Sequence, residues 1–219
     1  MKKALLLIAM ATMAVAANAQ LSLKPMGGVN FANLRDYPDN GKMRVAIFAG
    51  GEFEYKFAHN MGVSAGLLYS MQGNNASYTE TVTGMGTEVK YATELEYINI
   101  PILFNYYIAD GFAIKLGVQP GFLTKADSNT KTTVYHTDGH VAIEGGKNDV
   151  KDAFETFDFS IPVGLSYEFK GGFTIDARYN FGLTKVNKNE IEDPVTKQKT
   201  DTKVKNSVFM LGIGYKFAL

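Results

Sequence analysis

The sequence predicts an all-β protein: an eight-stranded antiparallel up-and-down transmembrane β-barrel with short periplasmic turns and long extracellular loops. Three observations carry the prediction. Apolar side chains alternate with polar and charged ones through strand-length segments. The connections between these segments are long and short in strict turn, and the N-terminus has the three-part form of an export signal. An even strand number with short turns at one end and long loops at the other is the pattern of outer-membrane barrels.

In the export signal, Lys2 and Lys3 form a positive start, residues 4–17 are almost continuously apolar, and Ala17-Asn18-Ala19 supplies small residues two apart. Cleavage is expected after Ala19, giving a signal peptide at 1–19 and a single barrel domain at 20–219. The apolar stretch is shorter than the roughly 20 residues that a membrane-spanning helix needs. The absence of cysteine excludes a disulfide scaffold and a lipid anchor on an N-terminal cysteine. The 22 basic and 22 acidic residues cancel, so no net field favours nucleic acid as a partner. Loss of Lys2 and Lys3 leaves the mature chain slightly acidic. With 22 glycines, 12 tyrosines and 15 phenylalanines, the composition favours strands and tight turns.

The first strand, 21–34, places Leu21, Leu23, Val29 and Phe31 on one face and Ser22, Lys24 and Asn30 on the other, loosened by Pro25 and Gly27-Gly28. After a loop containing Pro38 and Asn40-Gly41, the second strand sets Val45, Ile47, Ala49, Phe53, Tyr55 and Phe57 against Arg44, Glu52, Glu54 and Lys56. A short turn at His59-Asn60 leads into the third, with Met61, Val63, Ala65, Leu67, Tyr69 and Met71 opposed by Gly62, Ser64, Gly66, Ser70 and Gln72. Residues 73–88 are expected to be a polar loop. The fourth strand carries Ile98, Ile100, Ile102, Phe104, Tyr106 and Ile108 opposite Asn99 and Asn105. The Asp110-Gly111 turn then joins it to Phe112, Ile114, Leu116 and Val118, opposed by Lys115, Gly117 and Gln119.

Residues 124–152 form the longest polar insertion. The sixth strand alternates Phe157, Phe159, Ile161, Val163, Leu165, Tyr167 and Phe169 with Asp158, Ser160, Gly164, Ser166 and Glu168. Gly171-Gly172 turns the chain into the seventh, with Phe173, Ile175, Ala177, Tyr179, Phe181 and Leu183 away from Thr174, Asp176, Arg178 and Asn180. A charged loop at 185–205 precedes Phe209, Leu211, Ile213, Tyr215, Phe217 and Leu219, interleaved with Gly212, Gly214 and Lys216. Aromatic residues beside the short turns and the C-terminus, including Tyr55, Phe57, Tyr106, Tyr167, Phe169, Tyr215 and Phe217, suit an interfacial belt.

With the apolar face toward lipid, the other face supplies an interior ionic network of Lys24, Arg44, Glu52, Glu54, Lys56, Lys115, Asp158, Glu168, Asp176, Arg178 and Lys216. An eight-stranded barrel is only wide enough for side chains to fill. A packed ionic interior, rather than an open pore, is therefore expected. Gly62, Gly66, Gly164, Gly212 and Gly214 on this face leave room for long charged chains or relieve curvature.

No catalytic, cofactor-binding or metal residue is expected: the chain has no phosphate-binding loop, nucleophile elbow, HExxH motif or cysteine centre. His136 and His140, with Asp138 between them, have a spacing suited to a helix, whereas an irregular loop is expected there. Ser128 and several threonines share that loop, but no dyad is fixed. His59 lies beside a short turn.

The strand Tyr97-Ile98-Asn99-Ile100-Pro101-Ile102-Leu103 resembles the central Y-L-E-I-P-L-L strand of the outer-membrane β-barrel domain family common in Bacteroidetes, which includes the PorT-like proteins. Gly27-Gly28-Val29-Asn30-Phe31 is similar to that family's opening strand, and Gly212-Ile213-Gly214-Tyr215-Lys216-Phe217 to its close. Asn99 stands where the family frequently has an acidic residue, and the chain ends Phe217-Ala218-Leu219. The resemblance implies an integral outer-membrane barrel and no particular chemistry.

The expected function is a non-enzymatic, monomeric structural barrel, or one that binds through its outer loops. Its partners would be outer-membrane lipid and, at residues 129–152 and 187–205, an envelope protein or extracellular ligand. Three other readings stand beside it: a narrow solute channel, a lipid-modifying enzyme and a soluble periplasmic ligand-binding barrel.

Overall fold

The computed structural model describes residues 20–36, 41–82, 85–135, 141–188, 191–192, 199–200 and 203–219. The expected signal peptide and the His136–His140 segment lie outside these residues. The strands are β1 (Gln20–Arg35), β2 (Lys42–Ala58), β3 (Met61–Val82), β4 (Met85–Asn99), β5 (Ile102–Ala109), β6 (Phe112–Tyr135), β7 (Val141–Asp149), β8 (Phe157–Glu168), β9 (Phe173–Gly182), β10 (Ile191–Glu192), β11 (Lys199–Thr200), β12 (Lys205–Tyr215) and β13 (Phe217–Ala218).

Eight staves form a ring. β1 pairs β2, β2 pairs β3, β3 pairs both β4 and β5, these pair β6, and the order continues through β8, β9 and β12. β1 closes the ring on β12 from Met26–Gly214 to Arg35–Lys205, so no edge is left open along the wall. β4 and β5 are one stave interrupted at Ile100-Pro101, because proline has no N–H for the ladder. The neighbouring strands bridge the gap: Ile100 N donates to Pro120 O at 2.8 Å, and Gly66 N to Pro101 O at 2.9 Å.

The short turns take the form their sequences dictate. Gly111 has φ +75, and a Cβ there would lie 2.2 Å from Glu168 O, so a larger residue would be both strained and blocked. The long connections differ from expectation. Residues 73–82 and 85–88 are strand rather than loop, since β3 and β4 pair from Leu68–Asn99 to Val82–Met85. Much of 124–152 is likewise a hairpin, in which β6 pairs β7 from Asp127–Asp149 to Tyr135–Val141. Threonine, tyrosine and valine support pairing there. Polar residues on both faces hide the strand periodicity, because these segments rise beyond the part of the wall that is apolar on one side.

Alternate residues point in and out as the sequence predicts. Leu116 is 53% exposed and its neighbour Lys115 only 3%. The outward set includes Val45, Ile47, Phe53, Leu67, Phe104, Ile114, Val163, Leu165, Ile175, Leu211 and Ile213. Near the short turns, outward aromatic rings pack in pairs: Tyr55 with Phe57, Tyr167 with Phe169, and Tyr215 with Phe217. An apolar exterior over charged interior rows is the inverse of a soluble ligand-binding barrel.

The interior also contains what the alternation alone did not reveal. Met26, Ala32, Phe48, Leu68, Val208 and Met210 form one buried apolar cluster. Leu34, Leu95, Tyr97, Leu123, Ala126, Val186 and Val204 form another toward the long-loop end. The core is therefore ionic toward the short turns and apolar above.

One irregularity in the wall has a specific repair. Between Met43–Asn74 and Phe48–Ser70, β2 contributes four residues against three of β3. Carbonyls opposite the extra residue lose their ladder partners. Asn30 Nδ2 donates to Met71 O at 2.7 Å, and Arg44 Nη1 donates to Gln72 O at 2.8 Å. Two polar side chains, the buried Asn30 and the half-buried Arg44, thus satisfy backbone acceptors of β3.

Candidate functional site in the barrel interior

Lys24 on β1, Glu52 on β2, Lys115 on β6, and Asp176 and Arg178 on β9 converge across the ring. Lys24 Nζ lies 3.1 Å from Glu52 Oε2 and 2.9 Å from Asp176 Oδ1. Lys115 Nζ lies 3.5 Å and 3.1 Å from the same two oxygens, and Arg178 Nη2 lies 2.6 Å from Glu52 Oε1. Three cations thus share two carboxylates, all of them buried. Sharing offsets desolvation that no single pair would recover.

Glycines make room for this cluster. A Cβ on Gly66 would stand 2.7 Å from Glu52 Cγ, and one on Gly164 3.1 Å from Arg178 Cβ. On the neighbouring strand, each glycine faces the long side chain that it accommodates.

Toward the short turns lies a second group. Lys216 Nζ is 3.0 Å from Glu54 Oε2 and 2.7 Å from Glu168 Oε2, and it donates to Tyr107 Oη at 3.1 Å. The Tyr107 hydroxyl in turn donates to Glu54. Lys56 Nζ lies over the Tyr107 ring, 4.2 Å from its centroid. Together these side chains line a pocket of about 180 Å³ at the mouth. His59 lies farther out, in an open recess of about 720 Å³ with Asn60, Asp110 and Lys170.

The other two predicted interior residues lie apart from both groups. Arg44 pairs with Glu94 at 3.1 Å, and Asp158 accepts from Thr184 Oγ1 at 2.7 Å and from Asn206 Nδ2 at 2.9 Å. Tyr107 was missed by the sequence reading, although its parity with Asn105 marks it as inward. Asp127 and Lys147 were also missed, because they fall in a segment read as a loop, and Glu94 because it precedes the alternating part of the fourth strand. Among the described residues no group of His, Asp and Glu is placed to hold a metal. The arrangement can fill and brace the lumen.

Residues 16–188 match the family described as outer membrane protein beta-barrel domain. Several solved structures are similar in fold. Ail of Yersinia pestis is 16% identical over 91% of this chain and 97% of that one, with a TM-score of 0.39. Neisserial surface protein A is 12% identical over 91% and 99%, with a TM-score of 0.44. CarO of Acinetobacter baumannii is 9% identical over 88% and 97%, with a TM-score of 0.40. The chain has no match among curated proteins.

Proposed function

The chain belongs to the outer membrane protein beta-barrel domain family, and from that premise we propose that it is a non-enzymatic barrel of the bacterial outer membrane that conducts no solute and binds partners through its outer hairpins. The observation that carries this reading is the filled cross-section: the Lys24–Glu52–Lys115–Asp176–Arg178 cluster with apolar layers above it. A conducting lumen of eight strands would need mobile or small inward residues, whereas these are long and mutually paired.

The outer hairpins support the binding half of the proposal. β7 is exposed along its whole length and pairs with β6 alone. Variable contacts can be built there without disturbing the wall. A PorT-like affiliation is supported by residues 97–103 and by the glycine-rich first and last strands. Cleavage after Ala19 is supported by the small residues at 17–19. Ring closure through β1 and β12 completes the barrel within one chain and supports a monomer. Lipid modification has its named candidates, His136 and His140, outside the described residues.

The test is conductance. Purified barrel inserted in planar bilayers is expected to give no reproducible unitary steps, and a defined, solute-selective channel would overturn the closed-lumen reading.

A further inference from the structure

We propose that the free edge of β7 is a docking site for an extended polypeptide, which adds to the outer sheet as a further strand with apolar side chains on one face and a basic one on the other. The proposal rests on the reading of the outer hairpins as binding elements and names the class of their partner. Beyond the wall, β3, β4, β6 and β7 continue as one antiparallel sheet, and β7 ends it among the described residues.

The phase of the β6–β7 ladder fixes what that edge offers. Val150 N donates to Ala126 O at 2.9 Å, so this pair is a hydrogen-bonded one. The register then runs without a shift from Asp127–Asp149 to Tyr135–Val141. Hydrogen-bonded and non-hydrogen-bonded pairs alternate along an antiparallel ladder. Asn148, Gly146, Glu144 and Ala142 therefore bond to β6, while Asp149, Lys147, Gly145, Ile143 and Val141 turn their N–H and C=O groups to the open side. These donor and acceptor sets recur about every 6.8 Å, two residues of strand. An extended main chain carries the same repeat, and a lipid does not.

Natural edges are commonly blunted by lysine, proline, a bulge or shortness. β7 has nine residues, no proline and no register shift. Its lysine is committed elsewhere: Lys147 Nζ lies 2.9 Å from Glu94 Oε2 and 3.1 Å from Asp127 Oδ2, on the two strands behind. That clamp fastens β7 to β6 and β4 and presents the edge preorganised.

Side chains along the edge select the occupant. Val141 and Ile143 share a face with Tyr135, the partner of Val141, and all three are exposed, Ile143 to 61%. Thirteen residues of β6 separate Tyr135 from Phe122, above which the strand turns polar at Thr124 and Lys125. At about 3.4 Å each and a tilt near 45°, this apolar tip stands roughly 30 Å above the lipid-facing surface. Membrane contact therefore does not account for it. Directly opposite residues of paired strands share a face, so an added strand would set apolar side chains against Val141 and Ile143. Glu144, on the other face, makes no ion pair among the described residues and favours lysine or arginine opposite.

The experiment uses the mature barrel in zwitterionic phosphatidylcholine nanodiscs and a fluorescent nine-residue peptide alternating valine with lysine, read by anisotropy. Saturable binding is expected. Methylating the backbone amides of the valines, which would face β7, should weaken it about ten-fold or more. Methylating those of the lysines, which would face away, should leave it unchanged. Ile143→Pro removes an open-side N–H and an apolar contact while the bonds to β6 remain, and should also lose about ten-fold or more. Glu144→Lys should lose the lysine peptide and gain a valine–glutamate one. Heat-dependent gel mobility checks that each variant folds.

Absence of saturable binding, equal binding of the valine-methylated peptide, or unchanged binding by Ile143→Pro would overturn the proposal. An unchanged preference in Glu144→Lys would overturn the assignment of a basic residue. A dimer in sedimentation without peptide, abolished by Ile143→Pro, would give the edge to a second copy and overturn the proposal as well. Replacing residues 129–147 by a two-residue turn separates this inference from the reading beneath it. Binding that survives Ile143→Pro but not this deletion would overturn the edge and leave the hairpins as binders, and binding that survives both would remove the hairpin reading too.

Discussion

Glu52→Ala is expected to destabilise the folded barrel by about 3–5 kcal/mol, the range for breaking a buried ion pair on one side. Glu52 accepts from Arg178 with one oxygen and faces Lys24 and Lys115 with the other. Its removal leaves three buried cations beside Asp176 alone. Water cannot compensate cheaply, because Gly66 and the strands on either side pack against the same space. The measurement is reversible denaturant unfolding in lipid vesicles, with an unchanged denaturant dependence showing that the same surface is exposed. Glu168, whose side chain is 32% exposed at the mouth, provides the contrast. Its replacement by alanine should cost no more than about 1 kcal/mol, as for other solvent-screened pairs.

The second large effect lies on the outward face of β6. Leu116→Arg is expected to cost about 2–4 kcal/mol, the penalty for a charge near the bilayer midplane on a barrel's lipid face. Leu116 is outward and lies midway between Phe112 at the Asp110-Gly111 turn and Phe122 at the top of the belt. Phe217→Arg, at the end of the wall near the interface, should cost only about 0–1 kcal/mol. The same unfolding measurement in vesicles reads both. A uniform penalty at the two positions would mean that Leu116 does not face hydrocarbon.

Most of the wall was legible from parity. Charges such as Lys115 and Asp176, each set between two apolar residues, can be assigned to a face because one register satisfies them all. Parity becomes ambiguous where apolar residues are consecutive, as at Ile47-Phe48, Leu67-Leu68 and Ile102-Leu103. In each pair the second residue points into the lumen. Phe48 and Leu68 belong to the apolar part of the core, and no local rule tells which member of such a pair turns inward.

The outer hairpins were missed for the opposite reason. Residues 130–135 have strand-forming side chains with polar groups on both faces, so no periodic signal marks them. The roles of Asn30 and Arg44 depend on the extra residue in β2, which only the pairing of β2 with β3 exposes. The five-residue ionic cluster joins residues far apart in the chain, and ring closure is what brings them together.

The central claim is that lipid meets the apolar face while the charged face packs inside. A chain without cysteine allows a direct measurement. Single variants Leu116→Cys and Ala113→Cys, labelled with a small fluorophore in the unfolded state and refolded into vesicles, are read by quenching. Leu116→Cys is expected to be quenched by brominated lipid chains and not by aqueous iodide, and the Ala113→Cys label to escape lipid quenching. Lipid quenching at position 113 together with iodide quenching at 116 would contradict the account.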